Sequence, residues 1–180
     1  MKTALLSVLL EITMLSAQTV ISEKKFDLVK FSGFWYEVGT SSNSDFFLKQ
    51  KGIRRLGAAM VIPVENNIRV KTIYDKSYEC VKEDIFGSQV DIPGKFAFPR
   101  SREAYVVDTD YTTYAIVNVS VLKRGMRLHV LKLLSRTLAN TDKGLKRLRE
   151  ISESIGISRD HVFMLIYDDT CVKILKKDNL

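Results

Sequence analysis

The run Gly33-Phe34-Trp35-Tyr36 governs the reading of this chain, because two distant groups complete it: Thr109-Asp110-Tyr111 and Arg136. A tryptophan near the start of a first β-strand carries a large apolar face that has to be buried. An arginine closing a later apolar strand can stack its guanidinium on that face and plug one end of a closed sheet. Asp110, in a turn between two β-rich runs, can accept hydrogen bonds from neighbouring backbone N–H groups and fix that corner. Gly33, Trp35, Thr109, Asp110, Tyr111 and Arg136 are therefore expected to form one structural motif. The alternative is a buried Trp, an ordinary turn Asp and a surface Arg without mutual contact, which leaves their order and spacing to coincidence.

Outward from this motif the chain reads as strands followed by one helix. Period-2 or β-branched runs fall at 35–41, 56–64, 68–74, 79–86, 95–98, 104–108, 112–119 and 128–135. Turn signals separate them, among them Glu65-Asn66-Asn67, Phe86-Gly87-Ser88, Pro93-Gly94 and Arg124-Gly125. Short strands joined by short turns predict an all-β, eight-stranded antiparallel up-and-down meander. Closing it removes both exposed edges and leaves room inside for one small ligand. Beyond it, Asn140-Thr141-Asp142 offers a helix cap, and Leu145, Leu148, Ile151 and Ile155 recur at helical spacing before Gly156. This predicts one amphipathic C-terminal α-helix packed outside the barrel, with Lys143, Lys146, Arg147 and Arg149 on a solvated face. A short strand over 162–167 and a tail holding Cys171 follow.

The 180 residues, 46% hydrophobic and 27% charged, suffice for one core and not for two ordinary domains. Residues 1–17 read as a signal peptide, with Lys2 ahead of a mostly apolar run and Ser16-Ala17 as a small-residue cleavage region; residues 18–180 are the single domain. No other stretch approaches the roughly 18 apolar residues that a membrane span needs. The net charge of +7 is unchanged by removing the leader, which carries Lys2 and Glu11. A secreted basic protein is drawn weakly to anionic cell surfaces, acidic ligands or a receptor. The basic residues are spread over strands, turns and helix rather than interleaved with aromatics in one stripe, which argues against nucleic acid. His129 and His161 are the only histidines, and neither has a local partner for nucleophilic catalysis or a zinc site, so neither metal nor cofactor is expected.

In order and spacing, the three motif blocks resemble those of the lipocalins, small secreted β-barrels that carry hydrophobic ligands. Within that family the chain looks most like the epididymal lipocalins, a group that includes a retinoic-acid-binding member and implies the male reproductive tract. The narrower resemblance rests on Phe31-Ser32-Gly33-Phe34-Trp35-Tyr36-Glu37, Thr109-Asp110-Tyr111-Thr112-Thr113-Tyr114-Ala115-Ile116, Lys132-Leu133-Leu134-Ser135-Arg136 and Thr170-Cys171-Val172-Lys173. It implies a secreted carrier of a retinoid, fatty acid or similar small hydrophobic molecule. Cys80 and Cys171 match the bridge by which many lipocalins tie a strand to the C-terminal tail, and a secreted destination favours a disulfide over the alternative of two buried free thiols. Asn118-Val119-Ser120 has the acceptor pattern for N-glycosylation, late in a strand.

Pleat alternation combined with the resemblance assigns the ligand-facing wall. With Cys80 pointing outward, Val81, Glu83 and Ile85 point in. Phe96, Phe98, Ala104, Val106, Ala115, Val117 and Val119 fall on the same side, as do Leu128, Val130, Lys132 and Leu134. The even-numbered face of the second strand, with Met60, is the greasier one. Lys132 among Leu and Val is costly unless its charge is met. A ligand carboxylate, an ion pair with Glu83, or a mouth-facing position would each meet it. Two other functions compete with the carrier: an isomerase of the prostaglandin D synthase type, which needs a free cavity cysteine, and a basic interaction protein acting through its outer surface.

Overall fold

The computed structural model describes residues 26–123 and 125–178; the leader expected at 1–17 lies outside them. Eight strands close into an antiparallel barrel: β1 (Gly33–Ser41), β2 (Gly57–Val64), β3 (Asn67–Lys76), β4 (Glu79–Gln89), β5 (Lys95–Phe98), β6 (Arg102–Thr109), β7 (Tyr114–Lys123) and β8 (Met126–Ser135). Each pairs with the next, and β1 closes the sheet by pairing with both β2 and β8. The β1–β2 ladder runs over Gly33–Glu37, and the β1–β8 ladder over Tyr36–Ser41 with an irregularity between Glu37 and Gly39. Where β2 leaves off, β9 (Val162–Met164) pairs with the free edge of β1 at Gly39–Ser41. The strand expected over 162–167 is thus shorter.

Chain direction separates the two ends. The turns at 65–66, 90–94 and 110–113 lie with the helical turn α1 (Leu28–Phe31) at one end. The segment 42–56, with the short helix α2 (Asp45–Leu48), lies with the turns at 77–78 and 99–101 at the other. Ser77-Tyr78 and Arg100-Ser101 all have positive φ, between 53° and 69°; at 77–78 this is the geometry that a two-residue hairpin needs to match strand twist, while 99–101 is a three-residue loop. Glycine or asparagine is the low-strain choice for such turns, so these side chains are held at an energetic cost.

Two apolar clusters build the core. Phe31, Trp35, Val61, Ile68 and Phe96 fill the inside of the first end. A second cluster lies on the outer wall, under α3 (Asp142–Ser154) and α4 (Thr170–Lys177). α3 lies close because Gly144 faces the wall: a Cβ there would meet Leu133 at 2.8 Å and Tyr114 at 3.0 Å. Its basic face is not simply solvated. Lys143 reaches Asp110 at 2.7 Å and Arg147 reaches Asp108 at 2.8 Å, so both fasten the helix to the barrel. Ile155 caps the helix and is exposed, outside the packed stripe. The tail expected around Cys171 is itself helical: α4 buries Cys171, Val172 and Leu175 on one face.

Candidate functional site

One end of the barrel is sealed by the motif. Trp35 is fully buried, its indole N–H donates to the Phe31 carbonyl at 2.8 Å, and the Arg136 guanidinium lies 3.6 Å over its ring. Arg136 also donates to the carbonyls of Tyr111 (3.1 Å), Phe34 (2.9 Å) and Lys30 (2.8 Å). Gly33 has φ +95°, and a Cβ there would come 3.4 Å from the same guanidinium. In the adjoining turn, Asp110 accepts the backbone N–H groups of Thr112, Thr113 and Tyr114 and the Lys143 ammonium. Desolvation opposes its charge, but these donors and the Thr113 hydroxyl hold the carboxyl well below the ordinary Asp range. Thr109 takes the Tyr111 N–H at 2.9 Å, and the Tyr111 hydroxyl takes the Asp27 N–H at 3.1 Å.

Above this floor the barrel encloses a cavity of about 890 Å³. Glu83, Ile85, Phe96, Phe98, Ala104, Val106, Val117, Val119, Lys132 and Leu134 line it, as pleat parity placed them. Five other candidates do not. Met60 belongs to the opposite face of β2 and packs into the outer cluster, while Ala59 and Val61 face the cavity. Both faces of β2 are apolar because one lines the cavity and the other is covered by α4, so hydrophobicity alone cannot choose between them. Ala115 is packed into the floor beside Trp35. Val81, Leu128 and Val130 are outside the lining, and Val130 is buried.

Polar groups cross the cavity toward its mouth. Lys132 meets Glu37 at 2.7 Å, and Arg54 from segment 42–56 meets the other oxygen of the same carboxylate at 2.9 Å. Burial pushes the Glu37 carboxyl up, but the Lys132 and Arg54 charges overcome this and hold it below its ordinary value. Glu83 does not pair with Lys132; it takes Arg102 at 3.0 Å. Burial and the Glu83 charge push the Tyr74 phenol up, and the nearby Arg102 and Arg54 pull it back. The Arg102 Nε is buried without a hydrogen-bond partner among the described residues. Glu37, Arg54 and Arg102 escaped the sequence reading. Glu37 was within reach of it, since Trp35 faces inward and the strand repeats every two residues. Arg102 extends the Ala104 parity by one step, whereas Arg54 sits in a non-repeating segment that gives no signal.

Cys80 and Cys171 are joined, closing a separation of 91 residues, and no cysteine is free. The thiol that the isomerase reading needs is therefore consumed. His129 lies on the outer wall 3.3 Å from Asn118, and His161 lies 3.0 Å from Asn43; among the described residues no group of His, Cys, Asp and Glu could hold a metal ion. Among the same residues no helix is long and apolar enough to cross a membrane.

Comparison with known proteins agrees with this architecture. Epididymal-specific lipocalin-8 of Mus musculus is 37% identical over 82% of this chain and 81% of its own length. Epididymal-specific lipocalin-5 of Rattus norvegicus is 35% identical over 85% and 83%. A solved structure of the siderocalin Ex-FABP superimposes with a TM-score of 0.73 over 78% of this chain and 97% of that one, at 24% identity, which shows a common fold. The family model described as lipocalin / cytosolic fatty-acid binding protein matches residues 32–169, and the chain belongs to that family.

Proposed function

We propose that this protein is a secreted carrier that holds one small hydrophobic molecule with a carboxylate head, a retinoid or a fatty acid, inside the barrel, in the male reproductive tract. The observation that carries the reading is the cavity: about 890 Å³, apolar over its inner wall, with one buried carboxylate, Glu37, shared between two cations. Its volume is within the range of pockets that enclose molecules of this size. Burial of the apolar tail supplies most of the affinity, at about 25 cal/mol per Å². The head supplies the selectivity. Lys132 has three N–H donors, one of them directed at Glu37, and Arg102 has a buried Nε without a partner among the described residues. A ligand carboxylate among these groups gains a charge-assisted hydrogen bond worth about 1.5–3 kcal/mol, which an alcohol of the same shape does not. Lys132 thus acts with Arg54 and Glu37 as a cationic cluster rather than as a lone anchor. The epididymal lipocalins among its relatives support secretion and the tissue.

Titration of the ligand-free protein with all-trans retinoic acid and with retinol tests this reading. The acid should bind about tenfold more tightly or better, and Lys132→Met should reduce the difference while keeping apolar binding. Equal affinities overturn the carboxylate head; no binding of retinoids or fatty acids overturns the carrier.

A further inference from the structure

Cations unpaired among the described residues gather at one end of the barrel, whereas at the other Lys30, Arg136 and Lys143 are engaged by Asp27, backbone carbonyls and Asp110. In the turns at 65–66, 90–94 and 110–113 every charged residue is acidic: Glu65, Asp91 and Asp110. At the opposite end the exposed Lys49 and Lys76 line the mouth of the cavity, with exposed Lys51 and Arg100 on the same side of the barrel. Asp45, Glu79 and Asp160 are exposed acids near them. Lys49, Lys76 and Arg100 make no ion pair among the described residues, and Lys51 donates only to the Asp160 carbonyl, at 3.0 Å. These cations lie beside exposed apolar and aromatic groups, of which Tyr78 carries the Arg55 guanidinium 4.3 Å over its ring. Phe46 and Ile53 are each 66% exposed and Tyr78 is 83% exposed, and all three line the same mouth. Tyr78 and Arg100 are also among the residues kept at positive φ in the hairpin turns of this end.

We propose that this rim docks on an anionic lipid bilayer. Lysine and arginine meet lipid phosphates at the surface, and aromatic and aliphatic tips enter the boundary between headgroups and acyl chains. A sulfated polysaccharide or an acidic protein would satisfy the cations but would leave Phe46 and Ile53 in water or require an apolar patch of its own, so the bilayer fits both halves of the surface. Docking in this orientation turns the cavity toward the membrane. The surface does not depend on cargo; only passage of a ligand between cavity and bilayer rests on the carrier reading above.

The test uses the ligand-free full chain and co-sedimentation with vesicles of phosphatidylcholine, alone or with phosphatidylserine. The protein should bind the anionic vesicles and be released by salt. Lys49→Glu with Lys76→Glu should weaken binding by about tenfold or more. Phe46→Ser with Ile53→Ser, which leaves the charge unchanged, should weaken it several-fold while retention on heparin is preserved. Lys146→Glu on α3 should leave vesicle binding unaltered. The proposal is overturned if the Phe46/Ile53 variant binds vesicles as the native protein does, if Lys146→Glu costs as much as the rim lysines, or if heparin retains the protein and anionic vesicles do not. Unchanged melting temperatures of the variants exclude misfolding, and failure to bind retinoids or fatty acids in solution bears on the carrier alone.

Discussion

The two ends of the barrel are made from the same strands and treat their polar groups in opposite ways. At the closed end the chain supplies every partner: Arg136 stacks on Trp35 and donates to carbonyls from three segments, and Asp110 gathers three backbone N–H groups and Lys143. At the open end partners run short. Glu37 serves two cations, the Arg102 Nε has no hydrogen-bond partner among the described residues, and Phe46, Ile53 and Tyr78 are exposed. An end whose groups are saturated internally contributes stability and has little left for a ligand; an unsaturated end holds its binding capacity in reserve and is expected to open first.

Four variants test the contrast. Trp35→Ala should cost the most, about 3–5 kcal/mol, because it removes a fully buried aromatic and the surface on which Arg136 stacks; thermal or urea unfolding measures it, and a variant with native stability would mean that the floor does not hold the barrel. Cys171→Ser should cost about 2–4 kcal/mol, with the β-sheet spectrum retained, by freeing α4 from the wall near the open end. A loss equal to that of Trp35→Ala would show that the two ends share their stability more evenly.

Asp110→Asn should cost about 1–3 kcal/mol at neutral pH. Because the folded carboxyl titrates below its unfolded value, its contribution is complete above about pH 4 and is lost as pH falls through the depressed folded value. The gap in stability between the native protein and the Asp110→Asn variant should therefore close in acid; melting curves from neutral to strongly acidic pH check this, and a constant gap would assign the effect to something other than charge. Phe46→Ser should change stability least, by about 0.5 kcal/mol or less. A larger drop in melting temperature would make the rim part of the core and erase the distinction.

The closed end was also the legible one. Gly33, Trp35, Asp110 and Arg136 each solve a local problem with a residue that few others can replace, and such solutions survive as a readable pattern. Strand boundaries were readable where Asn66, Gly94 and Gly125 mark the turns, and misread at Phe86-Gly87-Ser88, where β4 continues to Gln89 and pairs Gly87 with Ile68 and Ser88 with Ala97. The wall was readable where one strand face is apolar and the other polar, as at Val117 and Val119, and misread on β2, where Ala58 and Met60 are as apolar as Ala59 and Val61. α4 was missed because eight residues give too few turns for a convincing period. The partner of Lys132 stayed open because which acid meets it depends on where segment 42–56 places Arg54 and on the pleat of β1, and cross-barrel distances leave no trace in local sequence.

The bridge between Cys80 and Cys171 also sets what a protease can do to this molecule. The covalent ring it closes contains nearly all of β4, then β5 to β8, α3 and β9, while β1, β2, β3 and segment 42–56 form a linear arm outside it. Trypsin cutting at the exposed Arg100 would leave one covalent species that separates into two pieces only after reduction. Cutting at Lys49 or Lys51 would produce two chains joined solely by hydrogen-bonded ladders and packing. The mouth, with its lysines and its solvent-facing Phe46, is thus where a single cleavage can divide the protein.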